Sequence, residues 1–458
     1  MKKEFKISLF VFRRDFRLED NTGLIFALNS SERVIPAFIF TKQQIEDNPF
    51  RSDHCLKFML ESLEDLEGQL RERKGKLYFF KGEPEEVLFR CISKLRIEAL
   101  IVNRDYTPYS QRRDEKLEAV CKAHGVSFFS FDDVLLHSPE DTLKSDGKPY
   151  TVFTPYFRNA SKLPVMSPVR NLRSCYFSDS IPFAQDSTLL SKILSAKGVE
   201  NRLKGGRSEA LKILKKLSFF EEYERLRDFP AENHSTLLSP YLKFTVCSPR
   251  EVFAAIAKNL GVHHGLIRSL YWRDFFTGIA FFFPQVFEGA FRKKFNKLSW
   301  SDNRNTFERW CKGTTGFPLI DAGMREMNTT GFMHNRVRMI AASFLVKDLH
   351  IDWRWGERYF AQTLIDYDPA VNNGNWQWVA STGCDAQPYF RIFNPWNQQK
   401  KFDPDCLYIK KWIPELRGLS PQEIHRWQKT QRGADSYPAP IVEHEEAVKK
   451  TRSLYCSV

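Results

Sequence analysis

Five short apolar runs dominate the first 131 residues: Ile7–Phe12, Val34–Phe40, Leu77–Phe80, Ala99–Val102 and Val126–Phe131. Each is too short for a core helix, and none alternates apolar with polar as a half-solvated strand would. A run that is apolar on both sides suits a strand of a parallel sheet covered by helices. The intervals carry helical patterns, as in His54–Arg73 and Gln111–His124, and parallel strands need such crossovers. The expected fold of residues 1–130 is a doubly wound α/β domain. It contains neither G-x-G-x-x-G nor G-x-x-x-x-G-K-[ST], which excludes the usual dinucleotide and nucleotide phosphate loops. Ligands of such sheets lie beyond the strand C-termini. Asn103–Arg113 follows the fourth strand there and reads as a small-ligand loop or an ordinary connection.

The rest of the chain has a different character. Residues 131–200 are rich in Pro, Ser and Asp and read as an irregular connector wrapped on a domain surface. Residues 201–458 are helical and aromatic, an expected all-α domain. All ten tryptophans lie at or after Trp272, so the two regions have different jobs. Glu209–Leu226 and Gly331–Leu349 each read as one helix. Ser248-Pro249 with Glu251 and Ser239-Pro240 read as helix starts. The formal net charge is +13, which suits a polyanionic partner such as nucleic acid. The nine cysteines include no C-x-x-C pair, which points to reduced thiols in a cytoplasmic compartment and to no metal site. No apolar run is long enough to span a bilayer. The first apolar run ends at Arg13-Arg14 and reads as a strand, not a signal peptide. The chain ends at Val458 without a low-complexity extension.

Several stretches could carry chemistry. Within Tyr223–Lys243, the hydroxyls of Ser235, Thr236 and Ser239 lead into a helix at Pro240. This is either an anion site suited to a pyrophosphate or plain capping. On the Gly331–Leu349 helix, Asn335, Arg338, Met339 and Ala342 share one face. A buried Arg338 needs a carboxylate, and Asp366 and Asp368 are the candidates. Such a pair beside a flat ring would tune its charge state; alone it is a structural ion pair. Asn372-Asn373-Gly374 reads as a bend, followed by a helical Trp376–Ala380. Trp376 and Trp378, two apart, face different walls. Trp300, Trp353 and Trp376 could relay an electron if they lie in near contact, which spacing alone does not decide. Basic and aromatic residues interleave at Tyr389-Phe390-Arg391, Lys400-Lys401-Phe402 and Lys410-Lys411-Trp412. With Arg292-Lys293-Lys294 they read as a phosphate-contacting rim or as a solvated basic face.

Four motifs together resemble the DNA photolyase and cryptochrome family, most of all the class I cyclobutane pyrimidine dimer (CPD) photolyases of microbes. They are FRRDFRLEDN at Phe12–Asn21, TGFPLIDAGMREMNTTGFMHNRVRM at Thr315–Met339, DWRWGERYF at Asp352–Phe360 and NNGNWQWVASTGCDAQPYFRIFNP at Asn372–Pro395. The resemblance covers nearly the whole chain. It implies that the helical domain holds FAD in a folded form. Tyr223 and the loop Ser235, Thr236, Leu237, Leu238 and Ser239 match contacts to the FAD phosphates. Arg338 and Asp366 match the pair beside the isoalloxazine, and Tyr367 and Asp368 match neighbouring flavin contacts. Asn372 matches the residue facing flavin N5. Trp376, Trp353 and Trp300 match the photoreduction chain, in that order from flavin to surface. Trp272 and Trp378 match the walls of the cavity for a flipped dimer, and Asn335 and Met339 match residues of the flavin and lesion pockets. Arg227, Arg273 and Arg391 match contacts to DNA.

The implied activity is light-driven repair of pyrimidine dimers. A lesion in a duplex must be extruded to reach a buried electron donor. One departure stands out. The family's dimer-binding Glu, three residues before Trp272, is here Ser269, preceded by Arg268. Loss of a charge-assisted hydrogen bond costs about 1.5–3 kcal/mol, so slower repair is expected, with Arg268 as a possible substitute donor. The alternative is a cryptochrome-like blue-light photoreceptor, which needs the flavin but not the lesion pocket. A flavin-free nucleic-acid scaffold is a third reading, disfavoured by the flavin-face residues. A second, antenna chromophore of deazaflavin or folate type is left open, because Asp105–Arg113 matches neither pattern cleanly. Damaged DNA is the expected partner, without a membrane, and the chain is expected to be a cytoplasmic monomer, nucleoid-associated if prokaryotic.

Overall fold

The five apolar runs form one parallel sheet: β1 (Phe5–Phe12), β2 (Ser31–Phe40), β3 (Tyr78–Lys81), β4 (Ala99–Asn103) and β5 (Ser127–Phe131), in the order β3-β2-β1-β4-β5. This is a computed structural model that describes residues 3–46, 48–185, 188–195, 198–385, 391–430 and 436–458. The central β1 pairs Phe10 with Pro36 on one side and with Ile101 on the other. Strand order reverses between β1 and β4, so the crevice beyond their carboxyl ends is the expected ligand position of such a sheet. Asn103 closes that end, donating to Asp15 Oδ2 at 2.6 Å and Asn21 Oδ1 at 2.8 Å and accepting from the Gly23 N–H. A Cβ on Gly23 would lie 2.7 Å from the Asn103 oxygen, so this helix start requires glycine.

Packing divides the chain into two units. One comprises Met1–Gly198, Leu203–Phe219 and Leu237–Pro284; the other comprises Val199–Arg202, Phe220–Thr236 and Gln285–Val458. The sheet unit also holds the helices Phe153–Ala160, Pro249–Leu260 and Gly265–Phe282. The helical unit is built on a continuous core that includes Trp310, Met324, Trp353, Trp376, Trp396 and Trp427. Along residues 131–200 the chain is mostly irregular, but it forms the helices Phe153–Ala160 and Thr188–Ser195.

Several local expectations are corrected. Glu209–Leu226 is not one helix: it breaks into Arg207–Leu214, a 3-10 segment Leu217–Phe220 and Tyr223–Leu226. Lys212, Lys215 and Lys216 load the end of the first piece, where positive charge favours a C-terminus. Gly331 ends the preceding helix with φ +71°, a conformation that suits glycine. The next helix is therefore Asn335–Ser343, continued by a π-helical turn Phe344–Asp348. Asn372-Asn373-Gly374 lies inside the helix Pro369–Val379, not at a bend. Asp368 caps that helix by accepting the N–H groups of Ala370 and Val371, and Pro369 follows at its first position, so helix formation starts upstream. Ser248 forms a full capping box with Glu251. Ser239 instead sits within the five-residue helix Ser239–Lys243, whose cap position is Leu238.

Candidate active site

The helical unit brings three sequence-distant elements together around Arg338. The guanidinium, on Asn335–Ser343, donates to Asp366 through Nη1–Oδ1 at 3.1 Å and Nη2–Oδ2 at 3.0 Å. Its Nε donates to the Met333 carbonyl at 2.7 Å, which fixes the plane of the fork. The Asp366 carboxylate is almost fully buried, at 5 % exposure, while Arg338 retains 22 %. The ion pair therefore keeps its carboxylate covered while part of the guanidinium stays accessible. Of the two acids expected to meet Arg338, Asp366 does so and Asp368 serves as the helix cap.

Asn372 stands one turn into the capped helix. Its Nδ2 donates to the Glu357 carbonyl at 3.1 Å. Behind it, Asn373 donates to Glu357 Oε1 and the Val286 carbonyl, both at 3.0 Å, and Gln377 donates to Asn373 Oδ1 at 3.0 Å. Burial pushes the Glu357 carboxyl up to about 7, against the stabilising hydrogen bond from Asn373. This network locks the helix face that carries Asn372.

Trp376 is buried on the same helix, and Trp378 is half-buried at the edge of the core. The indole of Trp376 lies against the backbone of Trp353–Thr363. A Cβ on Gly356 would fall 2.2 Å from Trp376 Cη2. Trp376 meets Phe360 at 4.9 Å and Trp310 at 6.3 Å between ring centroids. Trp353 is buried in the same core, and half-buried Trp300 meets Tyr455 at 6.2 Å. Among the described residues no ring pair directly joins Trp376 to Trp353 or Trp353 to Trp300. Sequence reasoning does not single out Gly356, Glu357, Asn373, Gln377 or Trp310. The available signal is the glycine of Trp355-Gly356-Glu357, set inside an otherwise amphipathic helix.

Asn335 is exposed, and its amide lies 3.9 Å from the sulfur of half-buried Met339, one turn on. Tyr367 is half-buried between Asp366 and Asp368. Tyr223, Ser235 and Thr236 are half-buried in the helical unit, and Arg227 lies 5.1 Å over the Tyr223 ring. Arg336 ties this segment to the Asn335–Ser343 helix through Asp228 at 2.5 Å. Arg391 is exposed and lies 5.3 Å over the Phe393 ring. Tyr389 and Phe390, part of the same expected rim, lie outside the described residues.

In the sheet unit, Leu237 has φ +57°, Leu238 is buried and Ser239 is exposed. On the helix Gly265–Phe282, Trp272 stacks face to face on Phe153, with centroids 3.6 Å apart and planes 6° apart. Arg268 lies over Phe153 and Phe157 at 5.2 and 5.3 Å. Ser269 is exposed and returns its hydroxyl to the Gly265 carbonyl at 3.4 Å. Arg273 donates to the Asp274 carboxylate and the Leu242 carbonyl, each at 3.4 Å. Burial raises Asp274 to about 7 although the Leu136 N–H and Arg273 oppose the shift.

A parallel sheet unit and a tryptophan-rich helical unit carrying the Arg338–Asp366 ion pair define a two-unit α/β-plus-helical protein. The comparisons with known proteins make the assignment specific. Residues 8–171 match the family described as DNA photolyase, and residues 266–457 match the FAD binding domain of DNA photolyase. The deoxyribodipyrimidine photo-lyase of a Synechococcus species is 35 % identical over 98 % of this chain and 96 % of that protein. An archaeal photolyase from Sulfolobus tokodaii, solved with two FAD molecules, is 42 % identical with a TM-score of 0.90, covering 99 % of this chain and 100 % of that one. A Synechocystis cryptochrome is 26 % identical with a TM-score of 0.90, covering 99 % and 100 %. The chain belongs to the DNA photolyase family.

The donor set fits FAD. A flavin ring offers carbonyl and imide edges and a nitrogen whose protonation changes with reduction. Arg338 supplies donors at a fixed plane, and Asn372 supplies an amide oxygen on a helix held by the Glu357 network.

Proposed function

We propose that this protein is a deoxyribodipyrimidine photo-lyase that uses FAD and blue light to split cyclobutane pyrimidine dimers in DNA. The observation that carries the reading is the Arg338–Asp366 pair, with the hydrogen-bonded Asn372, inside the segment that matches the family's FAD-binding domain. When bound and reduced, FAD supplies the light-excited electron that opens the cyclobutane ring and that returns afterwards. The chain's own residues have the remaining tasks. Arg338 places positive charge beside the ring, and Asp366 keeps that charge from being a buried monopole. Asn372, held by its bond to the Glu357 carbonyl, would offer its amide oxygen to the ring edge. Met339 and Asn335 line the side on which a dimer would rest. In the helical unit, half-buried Trp378 offers a flat face to an extruded base; Trp272, in the sheet unit, already stacks one face on Phe153. Arg227 and Arg391 engage phosphates without reading sequence; Arg273, expected to join them, is largely buried and turned to Asp274 and the Leu242 carbonyl. Tyr223 and the Ser235–Ser239 loop serve the FAD phosphates, and Trp376, Trp353 and Trp300 serve its photoreduction.

Ser269 is too short to replace a Glu, and Arg268 is engaged over Phe153 and Phe157. Dimer carbonyls therefore lose a charged partner, which predicts active but slower repair. That same feature, with the likeness to the Synechocystis cryptochrome, supports a second reading, a blue-light photoreceptor with little repair. Light-dependent splitting of a thymine dimer by protein with reduced FAD separates the two.

The candidate place for a second chromophore is the carboxyl end of the sheet. Beyond the ends of β1 and β4 stand Arg13, Arg113, Asp105 and Asp114. Arg13 holds Asp114 at 2.7 Å, and burial with the neighbouring Arg113 lowers it to about 10. The arginines here are paired with Asp114 and Asp105, and a second chromophore is supported by the likeness to the Sulfolobus photolyase solved with two FAD molecules. Release of flavin on denaturation, counted per chain, tests this: two per chain support it and one leaves only the catalytic FAD. No helix among the described residues is long and apolar enough to cross a membrane. The protein acts as a monomer inside the cell, bound to damaged DNA, and sedimentation with and without DNA checks the first point.

A further inference from the structure

The ring of Trp376 does not end in a single file of tryptophans. Its ring partners are Trp310, at 6.3 Å with planes 72° apart, and Phe360 at 4.9 Å. Phe360 in turn stacks on Trp310 at 5.9 Å with planes 10° apart. Trp310 is fully buried, and its Nε1 donates to the Ala341 carbonyl at 3.0 Å. On its other side Trp310 meets Tyr359 at 5.8 Å. The Tyr359 hydroxyl donates to exposed Asn328 Oδ1 at 2.8 Å and to the Cys311 carbonyl at 3.1 Å. Buried indole, buried indole and a half-buried phenol bonded to exposed Asn328 thus stand in successive ring contact.

We propose that Trp310 and Tyr359 form a second route by which an electron reaches Trp376, separate from Trp353 and Trp300; it rests on the reading that Trp376 is the donor beside the flavin. The oxidant is the Trp376 radical cation left when that indole gives one electron to its photoexcited acceptor. One electron passes from Trp310 to Trp376, and one passes from Tyr359 to Trp310. The indole N–H of Trp310 faces only a backbone carbonyl, which is too weak a base to take its proton. Oxidised Trp310 therefore stays a cation and passes the charge on. Tyr359 loses its hydroxyl proton as it is oxidised, and that proton goes to water at the Asn328 edge. A thiol reductant in the medium returns one electron and one proton to Tyr359. Charge thus settles at the surface, where recombination with the flavin is slow.

The test compares photoreduction of oxidised FAD under blue light, with dithiothreitol, in the parent, Trp376→Phe, Trp353→Phe, Tyr359→Phe and the double variant Trp353→Phe with Tyr359→Phe. Tyr359→Phe keeps the ring and removes only the hydroxyl, so the core is preserved. Trp353→Phe should keep a measurable rate, and adding Tyr359→Phe should lower it by about tenfold or more. Electron paramagnetic resonance of illuminated, frozen Trp353→Phe should show a tyrosyl radical that is absent once Tyr359 is replaced. Loss of all photoreduction in Trp353→Phe alone, or an equal rate and radical signal in the double variant, overturns the second route. Parent-like photoreduction in Trp376→Phe instead overturns the reading of Trp376 itself.

Discussion

Arg338 and Asp366 meet as a two-pronged ion pair, with both N–O distances near 3 Å, 3.1 and 3.0. Parallel hydrogen bonds between a fork and a carboxylate fix orientation as well as charge. Asp366→Asn should keep the shape and remove the charge. The expected outcome is FAD affinity weakened by about tenfold, or about 1.4 kcal/mol, with a modest loss of thermal stability. The check is FAD retained per chain after dialysis, alongside a melting curve. Full retention with an unchanged absorption spectrum would remove this pair from the cofactor site.

Gly356 is the point where a helix backbone and the Trp376 indole touch. Alanine raises intrinsic helix stability by about 1 kcal/mol over glycine. Here its Cβ would lie 2.2 Å from Trp376 and 2.5 Å from Leu345. Overpacking of this kind costs about 1–3 kcal/mol, so Gly356→Ala should be destabilising on balance. Urea unfolding measures it. A gain in stability would mean that the indole has room to withdraw.

Glu357 sets a pH dependence. Its carboxyl is raised to about 7 in the folded protein, chiefly by burial. The protonated form is the one the fold favours. Its contribution is complete below the ordinary carboxylate range and is lost as pH rises to about 7. Glu357→Gln keeps an acceptor for Asn373 and cannot ionise. Relative to the parent it should gain stability between pH 5 and pH 8, by up to about 3 kcal/mol. Urea unfolding at the two pH values gives the answer, and an equal difference at both would contradict the shift.

Arg391 should contact DNA through phosphate alone. Arg391→Ala is expected to weaken damaged and undamaged duplex alike and to lower the salt slope of binding by about one unit. Titrations at several salt concentrations check it. A loss confined to damaged DNA would place Arg391 on the lesion instead.

Much of the fold can be read from residue patterns. Five doubly buried runs become five parallel strands, because only covered parallel sheets need apolar residues on both faces. Arg338 and a carboxylate are likewise predictable, since a guanidinium among Met and Ala needs a partner. Which acid answers is named by the family resemblance, Asp366, and not by the residue pattern itself. Asp368 is taken by the helix start at Pro369, a local competition that only the folded backbone decides. The same start draws Asn372-Asn373-Gly374 into a helix against their turn preference. Trp310 and Gly356 escape notice because their roles come from ring contact across helices, which has no sequence period.

Dimer splitting tests the central claim most directly. A single-stranded oligonucleotide with one thymine dimer is illuminated with blue light in the presence of protein whose FAD has been chemically reduced, and repaired thymines are counted per absorbed photon. The account predicts splitting in light and none in darkness, at a yield that Ser269→Glu raises. No splitting by parent or Ser269→Glu, with FAD bound, reduced and illuminated, would contradict it and leave the photoreceptor reading in its place.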